Sequence, residues 1–208
     1  MGSIVDLSEP VALVVTVIVL SLVFGLEALL GGNILEYVIV TAAVTLAVIP
    51  HELAHRWCAR VMGSYSRYVL SPIGLVLTLI TAIPWLPFKI IMPGFTLVSP
   101  HRYDPLYLKR LMGLTSYVGP LINIVVASIS LVSALLILKA GIVAPVMLFL
   151  LLFFSVSARI NAWLAFFNLL PVPPLDGSKI ISWKPAMWIT SLILSIGLYI
   201  VSIAYIPF

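Results

Sequence analysis

Charged residues are scarce in this chain of 208 residues, of which aspartate, glutamate, lysine and arginine together make up 9%. Soluble globular domains carry about 25% charged residues. Hydrophobic residues account for 62% of the chain, and the mean hydropathy is +1.24. The shortage of charge excludes an ordinary soluble enzyme and a disordered chain, and it predicts an integral membrane protein.

Cysteine is also nearly absent, since Cys58 is the single example. One cysteine cannot form an internal disulfide, so a small disulfide-stapled secreted domain is excluded. We interpret Cys58 as a packed thiol. The net charge of +4 does not predict a nucleic-acid partner, because basic residues of membrane proteins gather in cytoplasmic loops. The partner that the composition predicts is the lipid bilayer.

Long apolar runs without charge predict five membrane-spanning helices, since about 20 such residues cross the hydrocarbon core of a bilayer. The predicted spans cover residues 10–30, 34–50 with a continuation through 51–55, 111–138, 140–170 and 185–208. The predicted fold class is an all-α polytopic membrane protein with five to six spanning helices. We treat residues 1–208 as one membrane-embedded domain, with a core at about 35–180 and accessory spans at about 10–30 and 185–208.

A further apolar segment, residues 68–88, is interrupted by helix-breaking residues, at Pro72, Gly74, Pro84 and Pro87. We predict a short helix over 73–83 that does not cross the membrane, followed by a strand near 94–99. Irregular backbone at membrane depth persists only where protein or a wet cavity satisfies its amides. The segment is therefore predicted to be a re-entrant or interfacial β element, with a kinked sixth span as the alternative.

Basic residues are distributed unequally between the two ends of the predicted bundle. One end carries Arg56, Arg60, Arg67, Lys89, Arg102, Lys109, Arg110, Lys179 and Lys184, and the other end carries Lys139. Because lysine and arginine accumulate in cytoplasmic loops, the N-terminus and residues 51–55 are predicted to lie on the cytoplasmic side. Arg159 lies within a predicted span, where we interpret it as structural.

His51-Glu52-Leu53-Ala54-His55 is an HExxH sequence at the end of the second predicted span. On a helix, residues four apart share a face, so the two imidazoles can bind one cation. Zn²⁺ suits imidazole ligands, and Glu52 can act as a general base towards a water molecule at the metal. Two histidines that face solvent or a partner helix are the alternative, which the cost of ionisable residues in an apolar span makes less favourable.

A site with two histidines needs a third protein ligand. The candidates are the remaining histidine and the carboxylates, namely Asp6, Glu9, Glu27, Glu36, His101, Asp104 and Asp176. Asp176 stands near the end of Asn-Leu-Leu-Pro-Val-Pro-Pro-Leu-Asp-Gly, after a span and on the same predicted side as His55. The three prolines exclude helix and predict an extended segment, and Gly177 permits a turn back toward the bundle. A simple turn at this position is the alternative.

HExxH in an early span and N-x-x-P-x-x-x-L-D-G after a late one together resemble the site-2 protease family of intramembrane zinc metalloproteases. The sequence Gly119-Pro120-Leu121-Ile122-Asn123 is also similar to a Gly-Pro-x-x-Asn stretch of that family. The resemblance covers roughly residues 35–180. It implies a minimal form of the family, without PDZ or CBS domains.

The resemblance implies roles for the residues that match the family's motifs. His51, His55 and Asp176 would be the ligands of one zinc ion per chain, and Glu52 would be the general base. The resemblance therefore gives Asp176 the place of third ligand.

Further residues are assigned supporting roles by the same resemblance. Asn168 would hydrogen-bond the substrate backbone or order the active-site loop, and Asn123 would be a supporting polar contact in the core. The predicted strand would present an edge to the substrate through Gly94, Phe95, Thr96, Leu97 and Val98.

These features predict a zinc-dependent endopeptidase that hydrolyses peptide bonds within transmembrane segments of other membrane proteins. The alternatives are a zinc-binding transporter or channel, and a non-catalytic relative that acts as a scaffold. The sequence contains no inverted repeat of the transporter kind, and a transporter does not need Glu52 as a base. The predicted active site lies toward the cytoplasmic side.

Overall fold

The computed structural model describes residues 7–86, 88–141 and 144–206. Its elements are, in chain order, α1 (Glu9–Leu30), α2 (Ile34–Val61), β1 (Tyr65–Leu70), α3 (Pro72–Ile80), β2 (Gly94–Ser99), α4 (Pro105–Ala140), α5 (Pro145–Asn168), α6 (Asp176–Trp183) and α7 (Pro185–Tyr205). Five helices are long and apolar enough to span a membrane, namely α1, α2, α4, α5 and α7. The prediction of an all-α multi-pass membrane protein with a small β element is thereby confirmed.

Helix α4 starts before the predicted span, at Pro105. The side chain of Asp104 caps it by accepting a hydrogen bond from the amide of Tyr107 at 2.8 Å, which satisfies one of the free amides of the first turn. A helix of 36 residues is about 54 Å long, whereas the hydrocarbon core of a bilayer is about 30 Å thick. The first turns of α4, with Lys109 and Arg110, can therefore lie outside the hydrocarbon core.

Helix α2 packs against α1, α4 and α5. Small side chains permit close approach, since Ala43 and Ala47 on α2 and Ala162 and Ala165 on α5 are fully buried. Close packing of small residues is a main source of helix association in lipid. The middle of α2 is therefore held firmly against its neighbours.

Strands β1 and β2 form a two-stranded antiparallel sheet, in which Tyr65 pairs with Ser99 and Leu70 with Gly94. The predicted strand near 94–99 is confirmed. Its partner β1 was not predicted. The end of β1 overlaps the apolar segment at 68–88, and its pairing with β2 joins residues that are far apart in the chain. The approach is close at Gly94, where a side chain would collide with the carbonyl of Val69 and the ring of Tyr68.

The chain between the two strands makes an excursion and does not cross the bundle. It leaves the sheet at Leu70 and returns at Gly94, and these two residues face each other at the same end of the ladder. Helix α3 occupies part of this excursion and is shorter than the predicted helix over 73–83. Within residues 71–86 and 88–93 the excursion therefore contains no sixth span. Pro87 lies outside the described residues.

Side chains within the excursion satisfy its irregular backbone. The hydroxyl of Thr78 accepts a hydrogen bond from the amide of Met92 at 3.2 Å, and that of Thr81 accepts one from the amide of Ile90 at 3.1 Å. The ammonium group of Lys89 donates to the carbonyl of Thr81 at 2.9 Å. Internal pairing of this kind is what irregular backbone requires inside an apolar environment.

The segment between α5 and α6 contains turns and is not extended as predicted. The amide of Val172 bonds to the carbonyl of Leu170 at 2.8 Å, and that of Leu175 bonds to Val172 at 2.9 Å. Helix α6 then begins at Asp176 itself. A side chain at Gly177 would collide with the backbone of Leu169, so this glycine allows α6 to pack on the end of α5.

Candidate metal centre

Three potential metal ligands converge where α2 meets α6. The Nε2 atoms of His51 and His55 are 2.9 Å apart. The Oδ2 atom of Asp176 lies 3.6 Å from the first and 3.1 Å from the second. Within the described ranges 7–86, 88–141 and 144–206, this is the only group of three or more histidine, cysteine or carboxylate side chains that is arranged to hold a metal ion.

The helix places both imidazoles on one buried face. His51 and His55 are 3% and 5% exposed, and their rings meet edge to face at a centroid distance of 4.5 Å. Their spacing of four residues produces this arrangement, because one helical turn separates them. Buried ionisable groups in an apolar span require specific partners.

Each imidazole has such a partner at its Nδ1 atom. The Nδ1 atom of His51 is 2.5 Å from the Oδ1 atom of Asn123, and that of His55 is 2.6 Å from the carbonyl oxygen of Thr115. Both partners are acceptors, because the amide nitrogen of Asn123 donates to the carbonyl of Ala47 at 2.9 Å. The Nδ1 atoms therefore carry the protons, and the Nε2 atoms present lone pairs to the centre.

The donor set fits a zinc ion. Zinc binds imidazole nitrogen and carboxylate oxygen at about 2.0–2.2 Å with tetrahedral geometry, which separates the ligand atoms by about 3.3 Å. The separations of 2.9, 3.1 and 3.6 Å bracket this value. Two imidazole lone pairs that face each other at 2.9 Å repel unless a cation or a proton lies between them. The three side chains together thus form a suitable zinc site with room for a fourth ligand.

Asp176 is held in its ionised form by its surroundings. Burial by itself raises the pKa of the carboxyl group, but a proton on His55, hydrogen bonds from His51 and His55, and Lys179 outweigh it and hold the pKa well below its usual range. A cation bound between the three side chains would have the same effect in place of those protons. The ammonium group of Lys179 is 3.5 Å from Oδ1, the oxygen that does not face the histidines. The carboxylate is therefore available as a metal ligand through Oδ2.

Glu52 lines the same cavity as the three ligands, and the volume of this cavity is about 90 Å³. Its carboxylate is half-buried and accepts a hydrogen bond from the hydroxyl of Thr96 at 2.9 Å. Roughly 10–15 Å³ of such volume holds one water molecule. The cavity can therefore hold water beside both the ligands and the carboxylate.

Strand β2 forms one wall of the cavity. Four of its residues line it, namely Gly94, Phe95, Thr96 and Val98. Leu97 was predicted together with them, but it pairs with Arg67 and is not part of the cavity wall. Strand alternation places Leu97 on the face opposite to Gly94, Thr96 and Val98. Phe95 shares the face of Leu97 but still lines the cavity.

The two predicted asparagines occupy different positions. Asn168 lines the cavity, and its side-chain amide donates to the carbonyl of Leu164 at 3.1 Å. Asn123 is fully buried and contacts His51 directly. Its amide also donates to the Oδ1 atom of Asn161 at 2.9 Å, and Asn161 in turn donates to the carbonyl of Ser157 at 2.9 Å.

The other candidate third ligands lie away from the centre and have other partners. Glu9 pairs with Arg56 at 2.9 Å, Asp104 caps α4, and His101 contacts the hydroxyl of Tyr107 at 3.0 Å. Glu36 accepts a hydrogen bond from Asn33 at 2.8 Å. Glu27 is not part of the group either, and Asp6 lies outside the described residues.

Cys58 and Arg159, the two other side chains that stand out in the sequence, do not belong to the group of metal ligands. Cys58 is buried and accepts a hydrogen bond from the hydroxyl of Thr115 at 3.9 Å. Arg159 donates to the carbonyls of Ser202 and Ile206 at the end of α7. The arginine thus caps a helix, because the last carbonyls of a helix lack partners within it.

Sequence reasoning missed several groups at the site. The carbonyl of Thr115 has no side-chain signature, and the contact between Thr96 and Glu52 depends on tertiary packing. Lys179 and Asn161 had weak signals, because Lys179 follows Asp176 by three residues and Asn161 is an amide within an apolar span. These groups orient the side chains that the motifs identified.

Comparison with known proteins identified two similar chains. One, from Methanocaldococcus jannaschii, is named "Putative zinc metalloprotease MJ0611" and is 31% identical over 183 residues, which cover 86% of each chain. The other, from Bacillus subtilis, is named "Putative zinc metalloprotease YwhC" and is 32% identical over 159 residues, which cover 72% of this chain and 69% of the relative. No family model and no solved structure matches the chain.

Proposed function

Because this chain belongs to the same zinc metalloprotease family as those two proteins, we propose that it is an intramembrane zinc endopeptidase of the site-2 protease type. Its substrates are transmembrane segments of other membrane proteins. One observation carries the proposal, namely that a zinc-binding triad and a carboxylate surround one cavity within a bundle of membrane-spanning helices. The cavity opens toward the cytoplasm in the orientation that the charge distribution predicts.

The roles of the residues follow from the chemistry of peptide hydrolysis. When bound by His51, His55 and Asp176, zinc polarises the scissile carbonyl and makes a neighbouring water molecule more acidic. The carboxylate of Glu52 accepts a proton from the water that attacks the carbonyl carbon. It then returns this proton to the amide nitrogen as the carbon–nitrogen bond breaks.

The outer groups keep the reacting groups in place. Asn123 and the carbonyl of Thr115 fix the two imidazoles in the form whose Nε2 atoms accept a metal. The hydroxyl of Thr96 orients Glu52 toward the cavity. Lys179 holds the oxygen of Asp176 that does not face the histidines.

Substrate recognition uses the strand beside the cavity. A peptide bond within a transmembrane helix is cleaved only after local unwinding, and each unwound amide costs several kcal/mol in lipid unless it is paired. Strand β2 pairs with β1 on one edge, and the described residues contain no third strand on its other edge. An unwound substrate segment adds to this edge, and the side chain of Asn168 provides further hydrogen bonds.

The test is the substitution Glu52→Gln in purified protein that is supplied with zinc and a transmembrane substrate. We expect the zinc content to be unchanged, because Glu52 is not a ligand, and the cleavage rate to fall by at least about 100-fold. Glu36→Gln at the opposite end of α2 is the matched control and should leave both quantities unchanged. Cleavage by Glu52→Gln at the wild-type rate would refute the assigned base.

The alternative of a zinc transporter gives a different result in the same preparation. A transporter moves zinc into proteoliposomes and leaves the transmembrane substrate intact in wild type and variant alike. Zinc uptake without any cleavage would therefore replace the protease proposal with transport.

A further inference from the structure

A groove has the chemistry of a lipid-binding site. It lies at the same end of the bundle as α6. It lies between the first turns of α4 and the junction of α6 with α7, and its volume is about 550 Å³. Its walls combine positive and apolar side chains, namely Leu106, Lys109, Arg110, Leu114, Trp183, Lys184 and Met187. None of these residues belongs to the metal centre.

The groove is positively charged and has no acidic counterpart. Lys109, Arg110 and Lys184 are exposed, and none of the acidic residues that the structure describes lines the groove. Among the described residues, neither Lys109 nor Arg110 has a hydrogen-bond or ion-pair partner for its side chain. Lys184 contacts the ring of Trp183 from 5.0 Å above its centroid. Three cations are thus available to an external anion.

These cations lie at the level where phospholipid headgroups are expected. Arg110 directly precedes the charge-free run 111–138, and Lys184 directly precedes the spanning helix α7. Basic residues at such boundaries interact with the phosphates of anionic lipids, and basic pockets between transmembrane helices bind lipid headgroups. An aromatic residue such as Trp183 is also typical of this level of the membrane.

The apolar walls favour a lipid over a free phosphate ion. Leu106 is 79% exposed, and together with Leu114 and Met187 it offers a surface that a phosphate ion would not use. An acyl chain removes such a surface from water or from loosely packed lipid. We propose that this groove binds an anionic phospholipid, with its phosphate on the three cations and its acyl chains along the apolar wall.

The groove is in direct contact with α6, because Trp183 lines it. Trp183 packs so closely on α4 that a side chain at Gly113 would collide with it, and its ring lies 6.5 Å from that of Tyr117. The same short helix carries Asp176 at its first residue and Trp183 at its last. A lipid in the groove therefore stabilises the end of α6 that is opposite to the metal ligand.

The experiment measures quenching of Trp183 fluorescence by brominated lipids, with the full chain in bilayers of phosphatidylcholine. Brominated phosphatidylglycerol, which is anionic, is compared with brominated phosphatidylcholine at equal mole fraction. The contribution of Trp183 is the difference between wild type and Trp183→Phe. We expect at least roughly fivefold stronger quenching by the anionic lipid, as one or more basic side chains near the membrane surface would produce. Equal quenching by both lipids would overturn the proposal.

Two double variants, each of which removes two positive charges, distinguish binding in the groove from an effect of general surface charge. Lys109→Gln with Arg110→Gln should remove the preference for phosphatidylglycerol, whereas Arg60→Gln with Arg102→Gln, at the same end of the bundle but outside the groove, should retain it. Loss of the preference in both double variants would refute the assignment to this groove. Zinc content and helical circular dichroism check that each variant is folded.

Two further measurements on the wild-type protein do not depend on any variant. High salt should weaken the preference, because partly exposed charges are screened, and an unchanged preference would contradict an electrostatic site. Glycerol phosphate in the buffer should not relieve the quenching, since it lacks acyl chains. Relief by glycerol phosphate would show that the groove binds the phosphate group alone and would overturn the lipid assignment.

Discussion

Helices α2 and α7 are both long and apolar enough to cross a membrane, yet the protein holds them in different ways. In the most apolar window of α2, 39% of the residues are buried within the protein, against 17% in α7. The buried polar groups of α2 bond to α4, through Asn123 and Thr115. In α7, Ser195 and Ser202 donate to carbonyls of their own helix.

The difference shows how this bundle builds a reactive centre. Polar groups that connect two helices fix the rotation and height of each, so the imidazoles of α2 can point only at the centre. Polar groups that are satisfied within their own helix place no such constraint on its neighbours. The imidazoles of the metal centre are therefore fixed by α2 and α4. The hydrogen bonds that connect α7 to other elements, at Ser202 and Trp188, involve Arg159 and the carbonyl of Leu169 and not the metal ligands.

The largest expected effect comes from Asp176→Ala, which removes the ligand that α6 supplies. The two imidazoles alone cannot complete a zinc site, so we expect the zinc affinity to fall by more than the 10–100-fold loss that is typical for an outer-shell partner. A competition titration against a chelator measures it. Asp104→Ala, at the cap of α4, is the matched control. Equal zinc affinity in wild type and Asp176→Ala would separate α6 from the metal centre.

Gly119→Ala should be the next most damaging substitution. A methyl group at this position on α4 would collide with the imidazoles of both His51 and His55. We expect zinc affinity to fall by about 100-fold, the upper end of the loss that follows when the orientation of a metal ligand is disturbed, because both ligands must move. Gly197→Ala on α7 is the control, since no atom outside its own turn lies within 4 Å of the added methyl group. A similar loss in both variants would contradict the contrast between α2 and α7.

Asn123→Leu should have an intermediate effect. It removes the acceptor for the Nδ1 atom of His51 and also leaves the Oδ1 atom of Asn161 without its donor. Zinc affinity should fall by about tenfold, as for other outer-shell partners of a histidine ligand. Ser128→Ala is the control on the same helix, because Ser128 donates only to the carbonyl of Ile124. An unchanged affinity in Asn123→Leu would show that the amide does not orient the imidazole.

The smallest effect is expected for Ser195→Ala on α7. The residue is fully buried, but its hydroxyl bonds to Leu192 in the same helix, so its loss leaves no other helix with an unpaired group. We expect the free energy of unfolding to change by less than about 0.5 kcal/mol and zinc affinity to stay the same. Thermal unfolding and the chelator titration measure the two. A loss of zinc affinity would give α7 a role in the centre.

The features that could be predicted from the sequence are those that depend on local pattern. Apolar runs predicted the five spans, and β-favouring residues next to Pro93 and Gly94 predicted strand β2 with its observed bounds. The spacing of His51 and His55 predicted one shared helix face. The grouping with Asp176 relied on the family resemblance, because nothing local connects residues so far apart in the chain.

The features that escaped prediction depend on tertiary packing or on main-chain groups. Strand β1 is defined by its pairing with β2. Its own residues overlap the start of an apolar run and give no separate signal for a strand. Helix α6 has only eight residues, which is too short for a reliable periodic pattern. The carbonyl of Thr115 is an acceptor that every residue possesses, so only the fold can single it out. The functional roles of the site residues remain predictions that the substitutions above test.

The paired ends of the excursion between β1 and β2 have a consequence for how this protein can evolve and be engineered. Since Leu70 and Gly94 face each other in the ladder, the position of β2 is set by its register with β1 and does not depend on the number of residues between them. Residues can be added at the exposed turn around Trp85 at a cost that grows only slowly with loop length. The excursion is thus a natural insertion point, where a tag or a foreign segment leaves the strand beside Glu52 in place.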